Sequence, residues 1–201
     1  MVLAGSCDVA AGVLAGIGDE RLGVIWIDAH ADFNTPASSA SGFWPGMALA
    51  VVGGDCGEEV WRALEWRPVE AERVALLGTR SLSPLEESRR LARSAIRVLH
   101  WRDGAPDREV RTVLEGLAAR VERVYVHLDL DALDPSVGSG VVDPPVPGGL
   151  SARQLTEILA DIQRHLAVIG ASVTTYTPAW DDGSTLPVAV AAIRALIDSK
   201  R

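Results

Sequence analysis

Two short acidic runs hold the residues best suited to chemistry: Asp28-Ala29-His30-Ala31-Asp32 and Asp129-Leu130-Asp131-Ala132-Leu133-Asp134-Pro135. Each follows a largely apolar stretch, Val24 to Ile27 before the first and Val124 to Leu128 before the second. Alternate side chains of an extended segment share a face, so Asp28, His30 and the more loop-like Asp32 can converge on one point, and Asp129 and Asp131 repeat the geometry. A lone Asp-x-Asp most simply caps a strand or a turn. Two such clusters brought together would repel, each carboxylate pair at ~4 Å costing up to ~4 kcal/mol at an effective dielectric of about 20. Such repulsion calls for cations. Two divalent ions would balance Asp28, Asp32, Asp129 and Asp131, with His30 as a neutral ligand, and oxygen donors with one imidazole suit Mn²⁺.

The elements that must position these clusters are short runs rich in Val and Ile alternating with amphipathic segments, the pattern of βαβ units around a buried parallel sheet. Strands are expected over Leu22 to Asp28, Val74 to Gly78, Ile96 to His100, Val124 to Asp129 and Val168 to Thr174. Helices are expected over Asp8 to Ile17, Pro84 to Ser94, Pro106 to Arg120, Ser151 to His165 and Thr185 to Ile197, with Ser151 as an N-cap after Gly148-Gly149. Two long loops, 32–47 and 134–149, follow the carboxylate-bearing strands, and ligands of open α/β sheets bind beyond the carboxyl ends of strands. No repeat or long linker divides residues 1–201, which read as one α/β domain.

A formal net charge of −8 disfavours a nucleic-acid or anionic-membrane partner. No apolar run reaches the ~18 residues of a membrane span, and Met1 is not followed by the basic start of a secretory signal, so a cytoplasmic protein is expected. Cys7 and Cys56 are too few for a disulfide framework.

The two acidic runs resemble the signature motifs of the ureohydrolases: arginase, agmatinase and formimidoylglutamase. The similarity extends through Asn34-Thr35-Pro36, Ser41-Gly42, Gly46-Met47 and Gly148-Gly149-Leu150-Ser151, while Ala4-Gly5-Ser6-Cys7-Asp8 stands where the family has Gly-Gly-Asp-His-Ser. The resemblance implies a three-layer α/β/α fold with a mostly parallel sheet, here without the family's first-strand region. It implies that Asp28 and Asp129 bridge two Mn²⁺ ions, that Asp32 and Cys7 complete one and His30 and Asp131 the other, and that a hydroxide between the metals attacks an amidine or guanidine carbon. Asp131, as proton relay, and His30 are then the candidate catalytic residues. An edge left uncovered at the start would want another subunit, so a homo-oligomer is expected.

Several positions depart from the family pattern. Cys7 replaces a histidine ligand; it reads equally as a buried cysteine at a helix start or as a thiolate ligand, and the latter brings Zn²⁺ or Fe²⁺ into play beside Mn²⁺. Pro45 and Phe43 stand where a proton-shuttling histidine and an asparagine are found, Thr175 stands where an acidic residue pairs with the guanidinium, and Ser81 and Ser83 stand where arginases place aspartates. Asn34, Ser41 and Thr175 remain the candidate substrate-contacting positions. Trp44, with Trp180, could wall the substrate or simply cover the surface. His127 is expected to alternate away from the ligands into the core, His100 and His165 to lie at the surface, and Asp134 to fix its loop.

These features favour a binuclear hydrolase of C–N bonds in a small linear guanidine or amidine other than arginine. The alternative is a non-catalytic metal-binding relative. A phosphatase using Asp-x-Asp as nucleophile and acid fits less well, because Ala132-Leu133 follows the motif late in the chain, and a histone-deacetylase-like amide hydrolase does not account for the second carboxylate pair.

Overall fold

The computed structural model describes residues 1–141 and 146–197. Its strands are β1 (Val2–Leu3), β2 (Gly23–Ile27), β3 (Val74–Thr79), β4 (Arg97–Arg102), β5 (Ala105–Pro106), β6 (Arg123–Asp129) and β7 (Ala167–Thr174). Its helices are α1 (Val9–Ile17), α2 (Ala48–Gly53), α3 (Glu58–Ala63), α4 (Leu85–Arg93), α5 (Val110–Ala118), α6 (Ala152–His165) and α7 (Thr185–Ile197). Among the described residues no helix is long and apolar enough to cross a membrane.

The strands form one sheet in the order β1-β7-β6-β2-β3-β4-β5, parallel throughout except for β5, which runs antiparallel to β4. Both faces are covered, as an all-parallel region demands. Ile25 and Ile27 of β2 point into a core shared with α5, α6 and α7, whereas Val24 and Trp26 point into a second core with α1, α2 and α4. Every residue of β2 and β3 is buried, which is why these strands read as continuous apolar runs. The three-layer expectation therefore holds.

Two differences from the sequence-based expectation have local causes. Helix α5 starts at Val110 rather than Pro106, because Ala105 and Pro106 turn back to pair with Arg102 and Trp101 of β4. The stretch expected as a loop over 32–47 ends in a single 3-10 turn at Pro45–Met47 that runs into α2, an almost wholly buried apolar helix without the amphipathic period that would announce it. The other long loop, 134–149, includes residues 142–145, which lie outside the described part of the chain.

Ser151 caps α6 as expected: its hydroxyl accepts from the Gln154 N–H, and the Gln154 side chain accepts from the Ser151 N–H, a reciprocal capping box. Ser151→Ala should cost about 1 kcal/mol. In a domain of this size that lowers the Tm by about 3 °C in a calorimetric or circular-dichroism melt.

Candidate metal centre

The order of strands in the sheet brings the two acidic runs together. β2 and β6 are central neighbours with Trp26 beside His127 and Ile27 beside Leu128, so Asp28, just past β2, stands next to Asp129 at the end of β6. Here the chain order of the strands reverses direction in the sheet: β2, β3 and β4 run one way, β6 and β7 the other. Such a switch point is where an open α/β sheet forms its binding crevice. Asp129 is paired in turn with Thr174 of β7, and the Ala4 N–H donates to the Val173 carbonyl, which carries the chain after β1 over the same end of the sheet and delivers Cys7.

Asp131 reaches the site by a different route from the one expected. It lies not on an extended strand but in a 3-10 turn, Leu130–Ala132, capped by the Asp129 carboxylate, which accepts the Asp131 N–H at 2.8 Å. That turn folds the Asp131 side chain back towards β2, where Oδ1 accepts the Ala29 N–H at 3.1 Å and Oδ2 lies 2.8 Å from His30 Nδ1. The loop is fastened by Arg80, whose guanidinium donates to the carbonyls of Asp131, Ala132 and Leu133. Asp134 fixes the loop as expected, accepting from the Ser136, Gly148 and Gly149 N–H groups.

Four carboxylates lie almost wholly out of water: Asp28 and Asp129 are each 1% exposed, Asp131 4% and Asp32 6%. Asp129 is the most heavily supported, accepting from Cys7 Sγ at 2.9 Å, from Thr175 Oγ1 at 2.6 Å and from Thr174 Oγ1 at 3.3 Å. Asp28 accepts from Trp26 Nε1 at 3.0 Å and the His30 N–H at 2.7 Å. Asp32 differs: its backbone is held at φ 49°, in the left-handed region a β-carbon disfavours, and its Oδ2 is buried without any hydrogen bond. Oδ2 of Asp131 is likewise buried without an aligned donor, despite the nearby imidazole. Buried oxygens of this kind are costly unless something satisfies them.

Their protonation follows from burial and crowding. Burial, then the neighbouring carboxylate, raises all four: Asp129 to about 8, Asp131 to about 6, and Asp28 and Asp32 above the usual carboxylate range. Burial works against a charged His30, but its contacts with Asp131 and Asp28 outweigh that and push it up to about 12. Burial and Asp129 raise the Cys7 thiol well above its ordinary value. A site that recruits protons this strongly is short of positive charge. Divalent cations would supply it, and would return acids and thiol to the deprotonated forms in which such groups ligate.

The donor set fits two ions. Ligand atoms of Asp28, His30 and Asp131 form one group, those of Cys7, Asp28, His127 and Asp129 another, the members of each lying within 4.8 Å of one another. Asp28 belongs to both. His30 Nδ1 lies 2.8 Å from Asp131 Oδ2 and 3.5 Å from Asp28 Oδ1, close to the ~3 Å edge set by donors about 2.1 Å from one ion. His127 lies in the core as expected, 0% exposed and stacked on Trp26, but on the same face as Asp129 rather than turned away from it. Residues 127 and 129 share parity on β6 and hence a face, so His127 sits under the same end of the sheet as Cys7, and counting along the strand would have found it. Its pKa is lowered by burial to about 3, leaving it neutral.

A cavity of about 320 Å³ opens onto Asp28, Asp32 and Asp129 and includes His30, Asn34, Ser41, Phe43, Ser83 and Thr175 in its wall. Trp44 and Trp180 are not part of that wall; Phe43 supplies the aromatic surface instead. Asn34 is tied into the frame, donating to the Ser83 carbonyl and accepting from Ser38. Thr175, at φ 70°, spends its hydroxyl on Asp129. Glu87, a buried wall residue the sequence reading passed over, accepts the Phe33 and Ser83 N–H groups and so ties together the two loops that flank the cavity mouth. Its signal, one acid on the inward face of a charged helix, is not separable from solvent-facing neighbours in sequence.

The profile of the arginase family matches residues 1–198. The arginase of Bacillus caldovelox is 36% identical over 210 residues, covering 100% of this chain and 69% of the relative. That of Bacillus subtilis (strain 168) is 38% identical over 160 residues, covering 77% of this chain and 53% of the relative. The solved structure of the B. caldovelox arginase superposes with a TM-score of 0.89 at 34% identity, over 99% of this chain and 68% of that one. With its carboxylates gathered at the switch point of the same fold, the chain belongs to the arginase family.

Proposed function

We propose that the protein is a two-metal hydrolase of C–N bonds in a small, linear guanidine or amidine that is not L-arginine. The observation that carries this reading is the pair of donor groups sharing Asp28, with a buried, unpartnered oxygen on Asp32 in the cavity wall and another on Asp131 beside His30. When bound, two divalent ions would supply the strong nucleophile that a resonance-stabilised guanidinium requires, by lowering the pKa of a shared water. Asp28, His30, Asp32, Asp129, Asp131 and Cys7 would hold them, Mn²⁺ foremost.

The remaining work falls to the chain's own groups. Asp131 is placed to take a proton from the nucleophile and pass it to the leaving nitrogen, since one oxygen is anchored by the Ala29 N–H while Oδ2 stays free of aligned donors. His30, 2.8 Å away, steadies the charge on that carboxylate. Among the described residues the cavity wall contains no lysine or arginine, so a substrate carboxylate would meet hydroxyls and an amide, at Ser39, Ser41 and Asn34, rather than a full positive charge. Serines and Phe43 instead suit a substrate whose far end is neutral, hydroxylated or apolar. Thr175 gives the wall a hydroxyl rather than a carboxylate at this position, so a cationic head group lacks an anionic partner there.

The test is elemental analysis after purification with Mn²⁺, together with urea and ammonia release from a panel of guanidines and amidines. Two ions per chain with release from at least one non-arginine member is the expected result. Two ions with no turnover on any member would favour the non-catalytic metal-binding reading instead.

A further inference from the structure

The two halves of the donor cluster differ in kind. On the His30 side the donors are two carboxylates and a partly exposed imidazole. On the other side all four residues are fully buried, and sulfur and a second imidazole enter.

We propose that Cys7 Sγ, His127 Nε2, Asp28 and Asp129 form a mixed thiolate, imidazole and carboxylate site that selects Zn²⁺, so that the protein carries two unlike metals, zinc beside Cys7 and a harder ion such as Mn²⁺ beside His30. This rests on the two-metal reading above and deepens it.

His127 is prepared as a ligand. Trp26 stacks on its ring at 3.7 Å with an interplanar angle of 18°, fixing the ring plane. Nδ1 lies 2.8 Å from Ser172 Oγ, which is itself 2.6 Å from the Tyr125 hydroxyl. Histidines that ligate metals have their second nitrogen oriented by a hydrogen bond of this kind. With the proton on Nδ1, the Nε2 lone pair is left for an ion. Its one contact is Thr174 Oγ1 at 3.5 Å, the limit of a hydrogen bond, and that hydroxyl is 3.6 Å from Cys7 Sγ and 3.3 Å from Asp129 Oδ2. Nε2 thus faces the corner of the cluster with no strong partner, on a side chain wholly removed from solvent.

Cys7 closes the same corner. Its sulfur lies 2.9 Å from Asp129 Oδ2 and donates to it. A four-donor set of one thiolate, one imidazole and two carboxylates is one that zinc can take, since it accepts S, N and O donors in a tetrahedron. Soft sulfur disfavours Mn²⁺ in the same place, whereas the oxygen-rich group at Asp28, His30 and Asp131 suits it.

The test uses the full chain, stripped with a chelator, reloaded with one equivalent of Zn²⁺ and examined by X-ray absorption at the zinc edge. Expected is one sulfur at about 2.3 Å among nitrogen and oxygen donors at about 2.0–2.2 Å. The sulfur should vanish in Cys7→Ser, with zinc affinity down at least ~100-fold, the upper end of what even an outer-shell partner is worth. Imidazole scattering should persist in His30→Gln, a substitution at a partly exposed position that leaves the Trp26 stack untouched, and weaken in His127→Gln. A sulfur-free shell around bound zinc, or imidazole scattering that disappears in His30→Gln, overturns the proposal while leaving a two-metal hydrolase intact. Failure to retain any ion overturns the two-metal reading itself.

Discussion

Asp129→Asn is expected to lose tightly bound metal and, with it, any hydrolysis, while making the metal-free protein more stable. Asp129 stands between both donor runs, 1% exposed, and holds Cys7, Thr174 and Thr175 in place. Removal of one anionic donor should weaken metal binding beyond the 10–100-fold typical of an outer-shell partner. The same change removes the charge that raises Asp28 by proximity, and it keeps an acceptor oxygen for the Thr175 hydroxyl and the Asp131 N–H. Relief of a buried, crowded carboxylate should add about 1–2 kcal/mol to metal-free stability, a Tm rise of about 3–6 °C. Competition with a chromogenic chelator and a thermal melt of the stripped protein check the two halves independently. A variant that melts lower in both states would mean that Asp129 serves packing rather than metal.

The second large effect is a pair of opposite pH dependences. Asp129 is raised from 3.8 to about 8 and Asp131 from 3.8 to about 6, in each case by burial first and a neighbouring carboxylate second. Without metal, Asp129 and Asp131 therefore hold protons in the folded chain that the unfolded chain has released, both between about pH 4 and 6 and Asp129 alone from there to about pH 8, while His127, lowered to about 3, offsets one of them below the ordinary histidine range. Because the folded state binds more protons over this window, stability falls as pH rises, by about 1.4 kcal/mol per pH unit for each retained proton. His30, raised to about 12, works in the same direction above the ordinary histidine range. Metal binding needs those protons gone, so affinity rises with pH over the same range. Melts of the stripped protein from pH 5 to 8.5 should slope downward, and melts with saturating Mn²⁺ should slope upward or stay flat. Parallel slopes would exclude the acids as the site of metal binding.

How much of this was legible in advance depends on the range of the interaction. The strands of β2, β3, β6 and β7 and the helices α1, α4, α6 and α7 follow from apolar runs, periodicity and the Ser151 cap, all properties of neighbouring residues, and each lies within two residues of its expected bounds. The clustered side chains were legible too, because Asp28, Asp129 and Asp131, with His30, announce themselves by type and spacing. Glu87 was not, since its work is to hold Phe33, far away in the chain. Nor was α2, whose buried faces all around erase the period that marks a surface helix.

Residue types and local spacing were enough to specify a parallel α/β chain with two carboxylate clusters of a kind suited to cations. They could not say that β6 inserts beside β2, that the turn after Asp129 swings Asp131 back onto His30, or that Cys7 and His127 meet from segments 120 residues apart in the chain. Those are outcomes of strand order and register, which are chosen by burial of whole faces of the sheet rather than by any residue's neighbours. Only when the faces are assembled do a thiol and an imidazole, each unremarkable in its own segment, become donors to a common point.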